Sequence, residues 1–172
     1  MSVREVIRRM RVVRRFDARP LADADLAAIL DAGRRAGSSK NQQRWDFIVV
    51  TARDRLAELS VVGRYAGHLA GAAVAVALVT PVPRSSGAGS IMWDLGGDAQ
   101  NMMLAARELG IGSCPATVYD DALVRRLLGL PEDRQCAFIL SFGYPADAAD
   151  LEAPPRRGGR RPLQAIVHRD RW

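Results

Sequence analysis

The side chains of this chain best suited to chemistry are its arginines and one short polar run. Residues 38–44 read SSKNQQR and stand directly before the apolar stretch WDFIVV. Two hydroxyls, an ammonium, three carboxamides and a guanidinium offer far more hydrogen-bonding capacity than a surface turn requires. Arginines gather at Arg8, Arg9, Arg11, Arg14 and Arg15, at Arg34 and Arg35, and at Arg156, Arg157, Arg160 and Arg161. Of the 25 basic residues only Lys40 is a lysine. A guanidinium is a planar fork that donates in pairs, which suits the phosphate of a nucleotide-type ligand as well as a polynucleotide backbone.

Other chemistries find little support. Cys114 and Cys136 lie 22 positions apart, the only histidines are His68 and His168, and neither pair has metal-ligand spacing. Both cysteines read as buried thiols of a reducing compartment. No Ser-His-Asp or Cys-His arrangement is evident, and no Gly-x-Gly-x-x-Gly follows a strand. The net charge of +6 and pI of 10.3 invite a nucleic-acid reading. Against it, there is no helix-turn-helix or zinc-finger pattern and no basic stripe interleaved with stacking aromatics.

The elements that must position these groups alternate between helical and strand periods. Ser2 and Glu5 form a capping box before Val6, Ile7 and Met10, which predicts a helix over 3–10. A second helix has Asp23 as its cap, Leu26, Ile29 and Leu30 on one face, and Gly37 as its stop. Strands are expected at Trp45–Thr51, Ala72–Thr80 and Cys136–Phe142, and a short helix at 53–60. The apolar run Leu69–Val79, about 11 residues, is a core strand and falls short of the ~18 needed to cross a bilayer. Residues 81–90 read as a loop. The spacing of Leu95, Ala99, Met102, Met103, Ala106 and Leu109 then predicts the longest helix, Asp94 to Leu109, closed by Gly110. GSCPATVY is a strand or an extended connection, Asp120 opens a helix to about Leu128, and Pro162–His168 closes with a short helix.

At 172 residues, 48% of them hydrophobic and 26% charged, the chain reads as one globular domain spanning 1–172. Mixed helices and strands with few simple crossover units favour α+β over a doubly wound sheet. The N-terminus has no apolar centre followed by a cleavage site, so the expected location is the cytoplasm.

Four segments in this order resemble the nitroreductase family of flavin enzymes. RRMRVVRRFDARPL at 8–21 is similar to the family's Arg-Arg-Ser-x-Arg-x-Phe run. AGSSKNQQRWDFIVV at 36–50 is similar to its Pro-Ser-x-x-Asn-x-Gln-Pro-Trp-x-Phe-x-Val-Val. DLGGDAQNMMLAARELGIGSC at 94–114 resembles its central helix and following Gly-x-Gly turn, and GGRRPLQAIVHRDRW at 158–172 its C-terminal basic pair.

The resemblance implies a mostly antiparallel sheet flanked by helices, with a long central helix at the interface of a homodimer that holds flavin mononucleotide (FMN). It implies that Arg9, Arg11, Arg160 and Arg161 hold the phosphate and that Arg14 is the cation near the flavin pyrimidine edge. Ser38, Ser39, Asn41 and Gln43 fit ribityl or phosphate contacts across the subunit boundary, and Cys114 with Pro115 lies where the backbone approaches the ring near N5. The implied activity is ping-pong hydride transfer from NADH or NADPH through flavin N5 to a nitroaromatic, quinone or related acceptor, with no general base. The segment from about Pro145 onward is the arm expected to embrace the partner.

The chain departs from the family at Met10 and Val12, which stand where an arginine and a serine are common and leave Arg9 and Arg11 to compensate. It departs again at Arg44, in place of proline, which either favours an anionic substrate or faces water. Asp94, Gln100 and Asn101 are either polar site positions or a helix cap and surface amides; Met102 and Met103 read as packing, and His168 as structural. Three other readings stay open: a flavin- or deazaflavin-binding or flavin-consuming relative, an arginine-rich nucleic-acid binder, and a purely structural protein.

Overall fold

The computed structural model describes residues 1–83, 87–154 and 159–172. Among the described residues five α-helices and four strands carry the fold: α1 (Val3–Arg9), α2 (Asp23–Arg34), β1 (Asp46–Val50), α3 (Arg53–Leu59), β2 (Val74–Pro81), α4 (Ala88–Glu108), β3 (Gly112–Thr117), α5 (Asp121–Leu128) and β4 (Arg134–Gly143). The strands form one sheet in the order β1-β2-β4-β3, antiparallel throughout. The α+β expectation holds.

Strand side chains alternate between faces, so the middle strand β2 feeds two cores. Ala75, Ala77 and Val79 pack with Leu56, Leu59, Leu69, Val124 and Ile139 beneath α3, α5 and the turn at Ala66–Gly71. Val74, Val76 and Leu78 pack with Ile29, Leu95, Met102, Ala106, Leu140 and Phe142 beneath α2 and α4. With both faces covered, β2 has no solvent side, which is why its sequence is an unbroken apolar run rather than an alternating one.

Local signals set several boundaries as expected. The Ser2–Glu5 capping box closes in both directions on α1. Asp120 caps α5 by accepting from the Leu123 N–H, and Gly129 ends that helix in the left-handed region at φ 65°. Pro115 lies in β3, an edge strand, where its missing N–H costs no ladder bond.

Other boundaries differ. α4 begins at Ala88, inside the expected loop, because buried Ile91 holds the glycine- and serine-containing first turn on the core. Asp94 is therefore a buried position inside the helix and not its cap. α2 is preceded by Ala22, which makes no side-chain cap bond, with Asp23 in its first turn, and it ends at Arg34 well before Gly37. Leu69 belongs to a 3-10 turn at Ala66–Gly71, so the apolar run joins two elements. At the C-terminus only Leu163–Ala165 is helical, as one 3-10 turn.

Between α1 and α2 the chain runs extended along β3. Val12 bridges Ser113, the Val13 N–H donates to the Ser113 carbonyl at 3.0 Å, and Phe16 bridges Pro145. Gly112 permits this approach: a Cβ there would lie 2.7 Å from Cβ of Val13.

Candidate functional site

That docked segment delivers Arg14 to the edge of β3, where its charge acts on Cys114 and His68. Cys114 pairs with Ser141 across β3 and β4, and His68 reaches Ser141 from the 3-10 turn. His68 Nδ1 lies 2.8 Å from Ser141 Oγ, and that hydroxyl donates to the Cys114 carbonyl at 3.2 Å. The direction of the His68–Ser141 hydrogen bond is set by the imidazole tautomer. Nε2 is buried without a hydrogen-bond partner.

Burial, with the positive charge of Arg14 adding to it, depresses the His68 pKa to about 4. The ring is neutral at physiological pH. Burial likewise raises the Cys114 thiol, with Arg14 pulling the other way, so the group is a thiol and not a thiolate nucleophile. Arg14 itself is exposed and has no acidic partner among the described residues. The result is a cation with no countercharge among the described residues, beside a neutral imidazole whose Nε2 is unpartnered.

The polar run folds as an exposed loop pinned at both ends. Ser38 Oγ accepts from the Gln43 N–H at 3.0 Å, and the Asn41 N–H donates to the Ser38 carbonyl at 2.9 Å. Gln43 Nε2 donates to Asn41 Oδ1 at 3.1 Å. Ser39, Asn41 and Gln43 are exposed, and the chain holds Lys40, Asn41 and Gln43 at φ of 54°, 54° and 47°. Such angles are uncommon for residues other than glycine, and of these three only asparagine adopts them readily.

Arg44 turns toward the start of α4. Its Nη2 donates to Ser90 Oγ at 2.9 Å and lies 3.4 Å from Asp94 Oδ2, with about a fifth of the side chain exposed.

The other arginines are placed differently. Arg9 pairs with Glu152 at 3.9 Å, while Arg11 donates to the carbonyls of Arg8, Met10 and Ala153. Arg160 and Arg161 lie on a segment, 159–172, whose residues are all exposed; among the described residues Arg161 bonds only the nearby Ala165 carbonyl. Among the described residues no hydrogen bond or ion pair ties that segment to the rest of the chain. Arg156 and Arg157 fall outside the described residues. One chain thus brings together Arg14 and Cys114, and separately Ser38, Ser39, Asn41 and Gln43, but does not gather all four phosphate candidates.

Sequence reasoning missed His68, whose partner Ser141 is 73 positions away. It also missed Arg107, which is buried and donates to the carbonyls of Arg9 and Leu151 and to Glu152. Asn101, left open between roles, is structural: its Nδ2 donates to the Ala32 carbonyl at 3.2 Å.

The nitroreductase family model matches residues 7–62 and 60–144. This chain belongs to the nitroreductase family. A relative from Archaeoglobus fulgidus, whose name as an NADH dehydrogenase/NAD(P)H nitroreductase is provisional, is 36% identical and is matched over 94% of each chain. The structure of the NADPH:FMN oxidoreductase of Vibrio harveyi, complexed with NAD+, superposes at a TM-score of 0.85 with 25% identity, over 99% of this chain and 77% of that one. Nitroreductase A of Vibrio parahaemolyticus shares the fold at a TM-score of 0.88 with 24% identity, over 100% of this chain and 77% of that one.

The family's flavin asks for a cation, acceptors and donors on polar loops, and the residues of this member fit that demand. Arg14 has no countercharge, His68 Nε2 has no partner, and the loop at 38–43 presents hydroxyl and carboxamide groups to solvent. No helix among the described residues is long and apolar enough to cross a membrane.

Proposed function

We propose that this chain is an FMN-dependent oxidoreductase that passes hydride from NADH or NADPH to a nitroaromatic, quinone or related acceptor. The observation that carries the reading is the unpaired Arg14 beside neutral His68 at the edge of β3. When bound, FMN supplies the hydride acceptor and donor atom, which no side chain of this chain offers. Arg14 holds a fixed positive charge against negative charge developing on the ligand. His68, neutral and held through Nδ1 on Ser141, adds a polar group without adding a competing cation. Cys114 shapes the strand beneath as a buried, protonated thiol. Ser38, Ser39, Asn41 and Gln43 bind the polyhydroxyl portion, and Arg9, Arg11, Arg160 and Arg161 the phosphate.

The phosphate group of arginines supports a homodimer in the reading. Arg160 and Arg161 project on an arm that carries exposed Leu163, Ile166, Val167 and Trp172. At the opposite edge of the sheet β1 has an unpaired side, flanked by an apolar cleft of about 290 Å³ between Val50, Leu59, Leu127 and Leu128. A second copy would cover such surfaces and add its arginines. The two buried cysteines, neither in a disulfide, agree with a cytoplasmic location.

The test is an absorbance spectrum of the purified protein before and after adding FMN and desalting, followed by NADH and NADPH oxidation with a quinone and a nitroaromatic. Flavin bands at about one per chain with acceptor-dependent turnover are expected. Bound flavin without nicotinamide oxidation would replace the reading with a flavin-binding or flavin-consuming one. A protein that refuses FMN would overturn it.

A further inference from the structure

The loop at 38–44 holds three non-glycine residues in the left-handed region within four positions, and its own hydrogen bonds do not account for how it is held against the body. The tie is Asp94. Only 4% exposed on α4, it accepts the Ser39 N–H with both carboxylate oxygens, at 3.2 and 3.1 Å, and meets Arg44 at 3.4 Å. Arg44 in turn donates to Ser90 Oγ, whose hydroxyl donates to the Gly87 carbonyl, so both ends of the loop are fastened to the first turns of α4. Arg44 Nε is buried without a partner, so Nη2 carries the side chain's hydrogen bonds.

From this geometry we infer that Asp94, completed by Arg44, is the positioning residue that sets the loop bearing Ser38, Ser39, Asn41 and Gln43 in its ligand-binding conformation. The inference rests on the proposed flavin reading and deepens it. A backbone that bends the wrong way at Lys40 and Gln43 relaxes unless something outside the loop fixes it. Asp94 fixes it from one side, by a backbone N–H that, of all substitutions at Ser39, only proline removes. Arg44 thereby acquires a role that proline, with no charge and no side-chain donor, cannot fill.

If the clamp sets the fraction of loops competent to bind, losing it raises the apparent dissociation constant by the inverse of the fraction left. The experiment measures FMN affinity by flavin fluorescence in wild type, Asp94→Asn, Asp94→Ala and Arg44→Gln, with amide hydrogen exchange at Ser39 and Gln43 in flavin-free protein and urea unfolding of each. Asn keeps one acceptor for the Ser39 N–H but loses the ion pair, so FMN binding weakens about tenfold in Asp94→Asn and further in Asp94→Ala. Exchange at Ser39 accelerates in the same order, in protein that remains folded. Affinity unchanged within twofold while Ser39 exchange accelerates would overturn the inference, because the loop would be loosened without consequence. Lost affinity with Ser39 still protected would overturn it as well. Wild-type protein that takes up no FMN overturns the flavin reading instead, and the two failures are told apart by which protein fails.

Discussion

Asp98 on α4 sits directly against Gly33 on α2, fully buried, with neither carboxylate oxygen hydrogen-bonded. A Cβ at Gly33 would lie 2.5 Å from Asp98 Oδ1, so the absent side chain makes the room for the carboxyl. Burial alone pushes the Asp98 pKa from 3.8 up to about 7. The folded chain therefore holds this proton more tightly than the unfolded one.

The sign of the pH dependence follows. Between pH 3.8 and about 7 the folded state binds the extra proton, so raising pH costs stability, at up to about 1.4 kcal/mol per pH unit. Asp98→Asn removes that slope. Urea midpoints from pH 4 to 8 will show the variant gaining on wild type as pH rises, and parallel profiles would refute the assignment.

His68 acts in the opposite sense. Its folded pKa is depressed from 6.5 to about 4, so stability is lost as pH falls through that window, when the unfolded ring takes up a proton that the folded ring refuses. Across the overlap the two groups offset each other. Asp98→Asn should expose a profile that rises with pH, and His68→Gln one that falls. Two single variants whose slopes share a sign would contradict one of the two placements.

Gly112→Ala tests how Arg14 reaches the site. The new Cβ would fall 2.7 to 3.0 Å from the Val13 side chain, which must lift the segment 12–14 from β3. FMN affinity is expected to drop at least tenfold, with stability lower by about 1–3 kcal/mol. Isothermal titration at matched temperature reads the first effect, and retention of wild-type affinity would show that Arg14 does not depend on this docking.

Arg107→Met removes the buried guanidinium that joins the end of α1 to Leu151 and Glu152. Two backbone carbonyls lose a charged donor, which costs about 2 kcal/mol, or roughly 4–8 °C in Tm for a chain of this size. Differential scanning calorimetry measures it. Since Glu152 also pairs with Arg9, the variant also shifts the salt sensitivity of the fold.

Much of the architecture was legible where a signal is local. The Ser2–Glu5 box, the Asp120 cap and the apolar period from Leu95 to Ala106 each act within one or two turns of helix, and the structure honours them. The start of α4 was hidden because Gly89 and Ser90 look like loop residues until Ile91 is seen to be buried. Leu69 looked like strand because both a 3-10 turn and a strand can bury an apolar side chain. Within the site, the polar run drew notice by composition, but its anchor did not: Asp94 and Ser39 are 55 positions apart, and a mid-helix aspartate resembles a cap. His68 and Arg107 owe their roles to partners far along the chain, and residue spacing carries no trace of such partners.

The arm at 159–172 leaves Leu163, Ile166, Val167 and Trp172 in water, with the Trp172 ring stacked only on His168 at 4.3 Å. On the proposed dimer, its order and the fold's resistance to heat become matters of mass action. Each tenfold dilution then removes about 1.4 kcal/mol from the assembled state, so Tm rises with protein concentration and a dilute sample loses its flavin sooner than a concentrated one.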